Sequence, residues 1–185
     1  MPGRTAYNTR FDRFRSRERL DLSRWQKEAA IGRGQLLRYR TGAAEPRSDV
    51  LARLVRAAAR LLNRPVRASE LYDLGEDEPL GTPARTEGES ALRKAYPTRF
   101  DQLLRRHGVA DAQLVTVSRM SRQNIRKLRA GLETPRVRTI AGLVRALRRM
   151  RLDVRASDLF DVGERISFTY RSQPGTKLAN DLSQY

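Results

Sequence analysis

Leu114-Val115-Thr116-Val117-Ser118-Arg119-Met120-Ser121-Arg122-Gln123-Asn124-Ile125-Arg126-Lys127-Leu128 is the stretch that decides the fold. Asp111 is placed to cap a helix with Leu114, Val115 and Val117 facing inward. Arg119-Met120 forms a tight turn. Ser121 then suits an N-cap, because its hydroxyl can accept a backbone N–H from the first turn of the next helix. Ile125 and Leu128 face inward from that helix, and Gly131 stops it. Leu114 and Ile125 stand eleven residues apart, a spacing that lets two short helices cross steeply with their apolar faces together. The outer face of the second helix carries Arg122, Gln123, Asn124, Arg126 and Lys127. All five can hydrogen-bond, and the set includes residue types that pair with guanine and adenine edges.

Helical spacing continues on both sides of this stretch. Upstream, Phe100, Leu103 and Leu104 mark a helix that stops at Gly108, with His107 at its end. Downstream, Pro135 lies in a loop. A long helix then runs to about Arg149 with Ile140, Leu143, Val144 and Leu147 on one face. Arg148, Arg149 and Arg151 read as cations that suit a helix C-terminus. A short last helix starts at Ser157 and carries Leu159 and Phe160.

The same order of features occurs earlier. Tyr7-Asn8-Thr9-Arg10-Phe11-Asp12 recurs as Tyr96-Pro97-Thr98-Arg99-Phe100-Asp101, an offset of 89. Gly42 and Pro46 fall on Gly131 and Pro135, and Leu54-Val55-Arg56-Ala57 on Leu143-Val144-Arg145-Ala146. Near the end one residue is lost, and Val66-Arg67-Ala68-Ser69 matches Val154-Arg155-Ala156-Ser157. A repeat of this length makes the chain two similar units, 5–78 and 95–164. In the first, Trp25 takes the place of Leu114 as a core anchor. Residues 79–94, rich in Pro, Gly and Thr, read as a solvated linker, with Glu76-Asp77-Glu78 as its solvated approach and a short helix starting at Ser90 or Ala91. Residues 165–185 belong to neither unit. Ile166, Phe168 and Tyr170 alternate with polar residues, which is strand spacing. A lone strand needs a partner, so residues 166–170 offer a homodimer contact. The end from Gly175 reads as disordered.

Composition narrows the partners. The 185 residues hold 38 Lys+Arg against 21 Asp+Glu, for a net charge of +17. A field of that sign collects polyanions, and both units are basic. There is no Cys and a single His, His107. That removes thiolate metal sites, cysteine nucleophiles and His-relayed catalysis. No enzyme activity and no cofactor are expected. No apolar run is long enough to cross a bilayer, and Met1-Pro2-Gly3-Arg4-Thr5-Ala6 starts no secretory signal. A cytoplasmic, nucleoid-associated protein is the expectation.

The stretch from Leu114 to Gly131, followed by Pro135 and Ser157-Asp158-Leu159-Phe160, resembles the helix-turn-helix of the Cro/phage-repressor (Xre) family. It departs from the usual pattern at Val115, Arg119 and Asp111. The resemblance covers about 70 residues of each unit. It implies an all-α chain of two tandem five-helix, lambda-repressor-like helix-turn-helix domains joined by a linker, with a short C-terminal extension. It further implies that the third helix of each domain enters the major groove of double-stranded DNA. The expected function is that of a sequence-specific transcriptional regulator, repressor-like. Arg122, Gln123, Asn124, Arg126 and Lys127 would read the second half of the site. Arg33, Gln35 and Arg38 would contribute a thinner face from the first, where Gly34 interrupts the polar surface. Arg47, Arg136 and Arg138, beside the loop prolines, would grip phosphate with a helix N-terminus. The alternative is a DNA-tethered assembly protein, in which one unit and the tail hold a protein partner such as RNA polymerase, a toxin or a recombination complex.

Overall fold

A computed structural model describes residue 7 and residues 9–81 and 96–164. The described part is helical, with no strand beyond a single isolated bridge. Residues 165–185, with the strand reading and dimer contact at 166–170, lie outside it, as do 82–95 and the short helix expected there.

The helices are α1 (Arg10–Arg17), α2 (Leu22–Ala29), α3 (Arg33–Thr41), α4 (Ser48–Leu62), α5 (Ala68–Leu71), α6 (Arg99–Arg106), α7 (Asp111–Ser118), α8 (Arg122–Arg129), α9 (Val137–Arg149) and α10 (Ala156–Leu159). The packing pattern occurs twice. α1 lies on α3 and α5, and α2 on α4; likewise α6 lies on α8 and α10, and α7 on α9. The local causes repeat as well. Thr9 caps α1 by accepting the Asp12 N–H, and Thr98 caps α6 by accepting the Asp101 N–H, each at 3.1 Å. Each cap satisfies a donor that the first turn leaves free.

Long apolar stripes explain the burial. Leu51, Leu54, Val55 and Ala58 on α4, and Ile140, Leu143, Val144 and Leu147 on α9, are fully buried. Trp25 is also fully buried. It stacks on Phe11 with ring centroids 4.6 Å apart and donates its Nε1–H to the Leu54 carbonyl at 3.0 Å. That satisfies the one polar atom a buried indole must place.

Two ends differ in detail from the sequence expectation. α7 begins at Asp111 with Ala110 as its N-cap, so the Asp111 carboxylate is free to meet Arg129. α10 begins at Ala156, one residue before Ser157.

The two halves also touch, and near the junction the contacts come in swapped pairs. Ser48 N–H donates to the Pro135 carbonyl at 2.8 Å, and Val137 N–H donates to the Pro46 carbonyl at 3.1 Å. Between them Arg47 and Arg136 form an antiparallel bridge. Arg56 pairs with Asp161, and Arg145 with Asp73. Glu164 accepts the Ala68 N–H at 2.8 Å, and Glu76 accepts the Ala156 N–H at 3.0 Å. Each of these two carboxylates therefore satisfies a backbone donor at the start of a short helix in the opposite half. Exchanging equivalent residues reproduces each contact, which is the mark of a twofold relation. The pseudo-twofold passes by the Arg47–Arg136 bridge.

The acidic run and the Arg cluster at the end of α9 turn out to meet each other. Arg149 pairs with Glu78 at 2.7 Å, and the Arg148 guanidinium donates to the Glu78 carbonyl at 2.5 Å. Gly81 N–H donates to the Arg148 carbonyl at 2.9 Å, and Arg151 donates to the Gly81 carbonyl at 2.7 Å. The stretch read as a solvated linker is thus held against α9 over its first residues.

Candidate nucleic-acid interface

α8 is fixed from behind. Ile125 and Leu128 are buried against the core, and Ser121 accepts the Asn124 N–H at 3.2 Å to cap its start. Arg119, the C-cap of α7 and first residue of the turn, holds a left-handed backbone at φ 58°, as Ala30 does at φ 52° in the equivalent place. That geometry favours Gly, and a residue with a side chain takes it at a cost of about 1–2 kcal/mol.

The strongest positioning device is ionic. Arg129, on the inner side of α8, is buried. It donates to Asp101 on α6 at 2.7 Å and to Asp111 on α7 at 2.6 Å. It thereby ties three helices to one guanidinium. Burial alone would raise the Asp101 pKa. The Tyr96 N–H and the guanidinium groups of Arg105 and Arg129 outweigh it and hold that carboxyl below its ordinary value. The first half repeats the device, with Arg40 donating to buried Asp12 at 2.6 Å. Tyr7 and Tyr96 lay their rings against Arg40 and Arg129, with the guanidinium carbons 5.0 and 5.8 Å from the ring centroids.

With its inner side so occupied, α8 exposes Arg122, Gln123, Asn124, Arg126 and Lys127. Arg126 reaches Asp111 at 3.6 Å, an exposed pair of little energetic weight. Among the described residues, the side chains of Arg122, Gln123, Asn124 and Lys127 make no hydrogen bond or ion pair with the rest of the chain. The donors the sequence singled out are thus gathered on one face, and all but Arg126 are uncommitted.

α3 is leaner. Arg33, Gln35 and Arg38 are exposed, but nothing caps the helix, because Gly32 stands where Ser121 does. A Cβ on Gly34 would meet nothing within 4 Å. Gln35 donates its Nε2–H to Tyr39 Oη at 2.6 Å, which fixes the side-chain amide. Leu37, where α8 has Arg126, is 48% exposed.

Arg47 and Arg136 are the N-caps of α4 and α9. Both are exposed, and they adjoin the pseudo-twofold instead of gripping separate loops at a distance. Arg138 pairs with Glu45 of the other half at 3.1 Å. It therefore belongs at least partly to the junction.

Arg40 and Arg129 were not singled out by the sequence reading, yet they set where α3 and α8 point. Their signal was present. Each falls at the repeat offset from the other, as do their partners Asp12 and Asp101 inside the matching Thr-Arg-Phe-Asp segments.

Among the described residues, no group of His, Asp or Glu side chains is gathered to hold a metal ion, and no helix is long and apolar enough to cross a membrane. No family model, curated protein or solved structure matches the chain.

Proposed function

We propose that this chain is a sequence-specific double-stranded DNA-binding regulator of the phage-repressor kind. It is built of two tandem five-helix helix-turn-helix units, 5–78 and 95–164, with α3 and α8 as the helices that enter the major groove. The observation that carries the reading is the outer face of α8. Five exposed side chains with hydrogen-bonding ends stand on a helix anchored by Ile125, Leu128 and Arg129.

The mechanism is attraction followed by readout. The +17 charge draws the chain to phosphate. Arg side chains can grip guanine O6 and N7 through two hydrogen bonds, and Asn or Gln can do the same to adenine N6 and N7. Arg47 and Arg136 supply phosphate contacts that set the register and carry no sequence information. The output is occlusion of a promoter or contact with RNA polymerase at the nucleoid, without chemistry on the DNA.

The test is a titration of labelled duplex at several salt concentrations. Log affinity should fall with log salt at about 0.9 per neutralised phosphate. Substituting Arg122 and Asn124 by Ala should cost much of the specific affinity. Salt-insensitive binding, or none, contradicts the reading.

One observation favours the assembly reading for the first half: Gly34 interrupts the polar face of α3 and leaves it thinner than that of α8. Arg33→Ala with Arg38→Ala in the full chain separates the two. Weakened DNA binding supports groove contact by α3, and unchanged binding supports a protein partner there.

A further inference from the structure

Resting on the DNA reading above, we propose that one copy of the chain recognises an inverted pair of unlike half-sites. The half under α3 is rich in A·T, read by Gln35 and Leu37. The half under α8 contains G·C, read by Arg126.

The orientation follows from symmetry. The two halves are related by a pseudo-twofold, shown by the exchanged bonds of Ser48 with Pro135 and Val137 with Pro46, and by the exchanged pairs Arg56–Asp161 and Arg145–Asp73. Double-stranded DNA has local twofold axes perpendicular to its length. Two equivalent surfaces that meet one duplex across a shared twofold meet sequences running in opposite senses. Units strung out along the chain and related by translation would meet a direct repeat instead. The junction therefore selects inversion, and it fixes the spacing of α3 and α8 in place of any linker length.

The difference between the halves follows from side chains at equivalent positions. Arg33 and Arg122 correspond, as do Arg38 and Lys127, so both halves keep cations at those places. Gly34 stands for Gln123, and Leu37 for Arg126. Leu37 is a large apolar side chain left 48% exposed on a basic helix. The one apolar feature of a base-pair edge in the major groove is the thymine methyl. Gln35 gives one amide hydrogen to Tyr39. Its second amide hydrogen and its carbonyl oxygen remain, which is the pair that adenine N7 and N6 require. On α8, Arg126, standing where α3 has Leu37, supplies a donor fork suited to guanine that the first half lacks.

The experiment uses the full chain. A randomised duplex library is selected for binding, and the recovered site is then rebuilt with its halves inverted, in direct repeat, or with either half duplicated into a palindrome. Affinity and the mass of each complex are measured. One chain per duplex on the inverted unlike site is expected. The rearranged duplexes should bind roughly 5- to 150-fold more weakly, the range set by loss of a bidentate contact. Leu37→Arg, a change at an exposed position that should leave the fold intact, should alter base preference only in the A·T half. Tightest binding to a perfect palindrome by two chains, or equal binding to the direct repeat, overturns this proposal and leaves the DNA reading standing. Failure to bind every duplex at low salt overturns the DNA reading itself.

Discussion

Arg47 and Arg136 face each other across a single antiparallel bridge, flanked by backbone hydrogen bonds of 2.8 and 3.1 Å to Pro135 and Pro46. The N-caps of the two long helices thus meet at the junction of the two halves. Each brings an exposed guanidinium to the junction, where the proposed DNA reading would have phosphate. A pair of cations there is tolerable in water and gains most if phosphate lies between or beside them.

Arg136→Ala should therefore weaken binding to specific and unrelated duplexes by a similar factor and flatten the salt slope by about 1. Comparing the slopes for the two duplex types checks it. A loss confined to one sequence would place Arg136 at a base edge instead.

The junction also depends on Gly75 and Gly163. Both hold left-handed backbone, at φ 73° and 86°. A Cβ on either would run into backbone of the other half, at Ala141 or Ala52. Gly75→Ala should cost about 1–3 kcal/mol by overpacking, read as a lowered midpoint in urea denaturation. The affinity for a site that needs both halves should fall with it. Full stability in the variant would show that the halves are not held together there.

Acid should unfold the protein partly through Asp12 and Asp101. Both carboxyls are held below their ordinary pKa: burial opposes ionisation, and hydrogen bonds from Arg and a backbone N–H outweigh it. A group whose folded pKa is lowered contributes stability above its unfolded value, and that contribution is lost as pH falls through the folded value. Stability should thus be level above about pH 5 and drop below about pH 4. Asp101→Asn should make that drop shallower. At neutral pH it should cost about 1–3 kcal/mol, because buried Arg129 would keep Asp111 but exchange its charged bond to Asp101 for a neutral one. Urea midpoints between pH 3 and pH 7 test both parts.

Tyr72 marks a small defect. Its hydroxyl is buried without a hydrogen-bond partner, and burial pushes its pKa up. Phe160 holds the equivalent place in the second half. Tyr72→Phe should stabilise the fold by roughly 1 kcal/mol, since an unsatisfied buried hydroxyl costs about that much or more. A destabilised variant would mean that the hydroxyl has a partner in solution.

Much of the local structure was legible in the sequence, for physical reasons. Ser121 caps α8 with a side chain that few other residues could replace, whereas Thr9 and Thr98 stood inside the repeat without being read as caps. The apolar stripe of α9 has a period that only a helix satisfies. The exposed set from Arg122 to Lys127 was readable because Ile125 and Leu128 fix which way the helix turns. The junction was hidden, because much of it is made by backbone. Pro46, Pro135, Ala68, Ala156, Ala52 and Ala141 contribute carbonyls or N–H groups that nearly any residue has. Glu76 and its repeat counterpart Glu164 were the exception. Reading the acidic run as solvated passed over a carboxylate that recurs because it closes the opposite half.

The account turns on α8 reading bases. Selection from a randomised duplex library should be run in parallel with the native chain and with Gln123→Ala, Asn124→Ala. The native chain should enrich a defined site, and the double variant should lose preference at particular positions of one half, at about 1–3 kcal/mol per lost bidentate contact. An unchanged site in the variant, or no enrichment by the native chain, would contradict the assignment of α8 as the recognition helix.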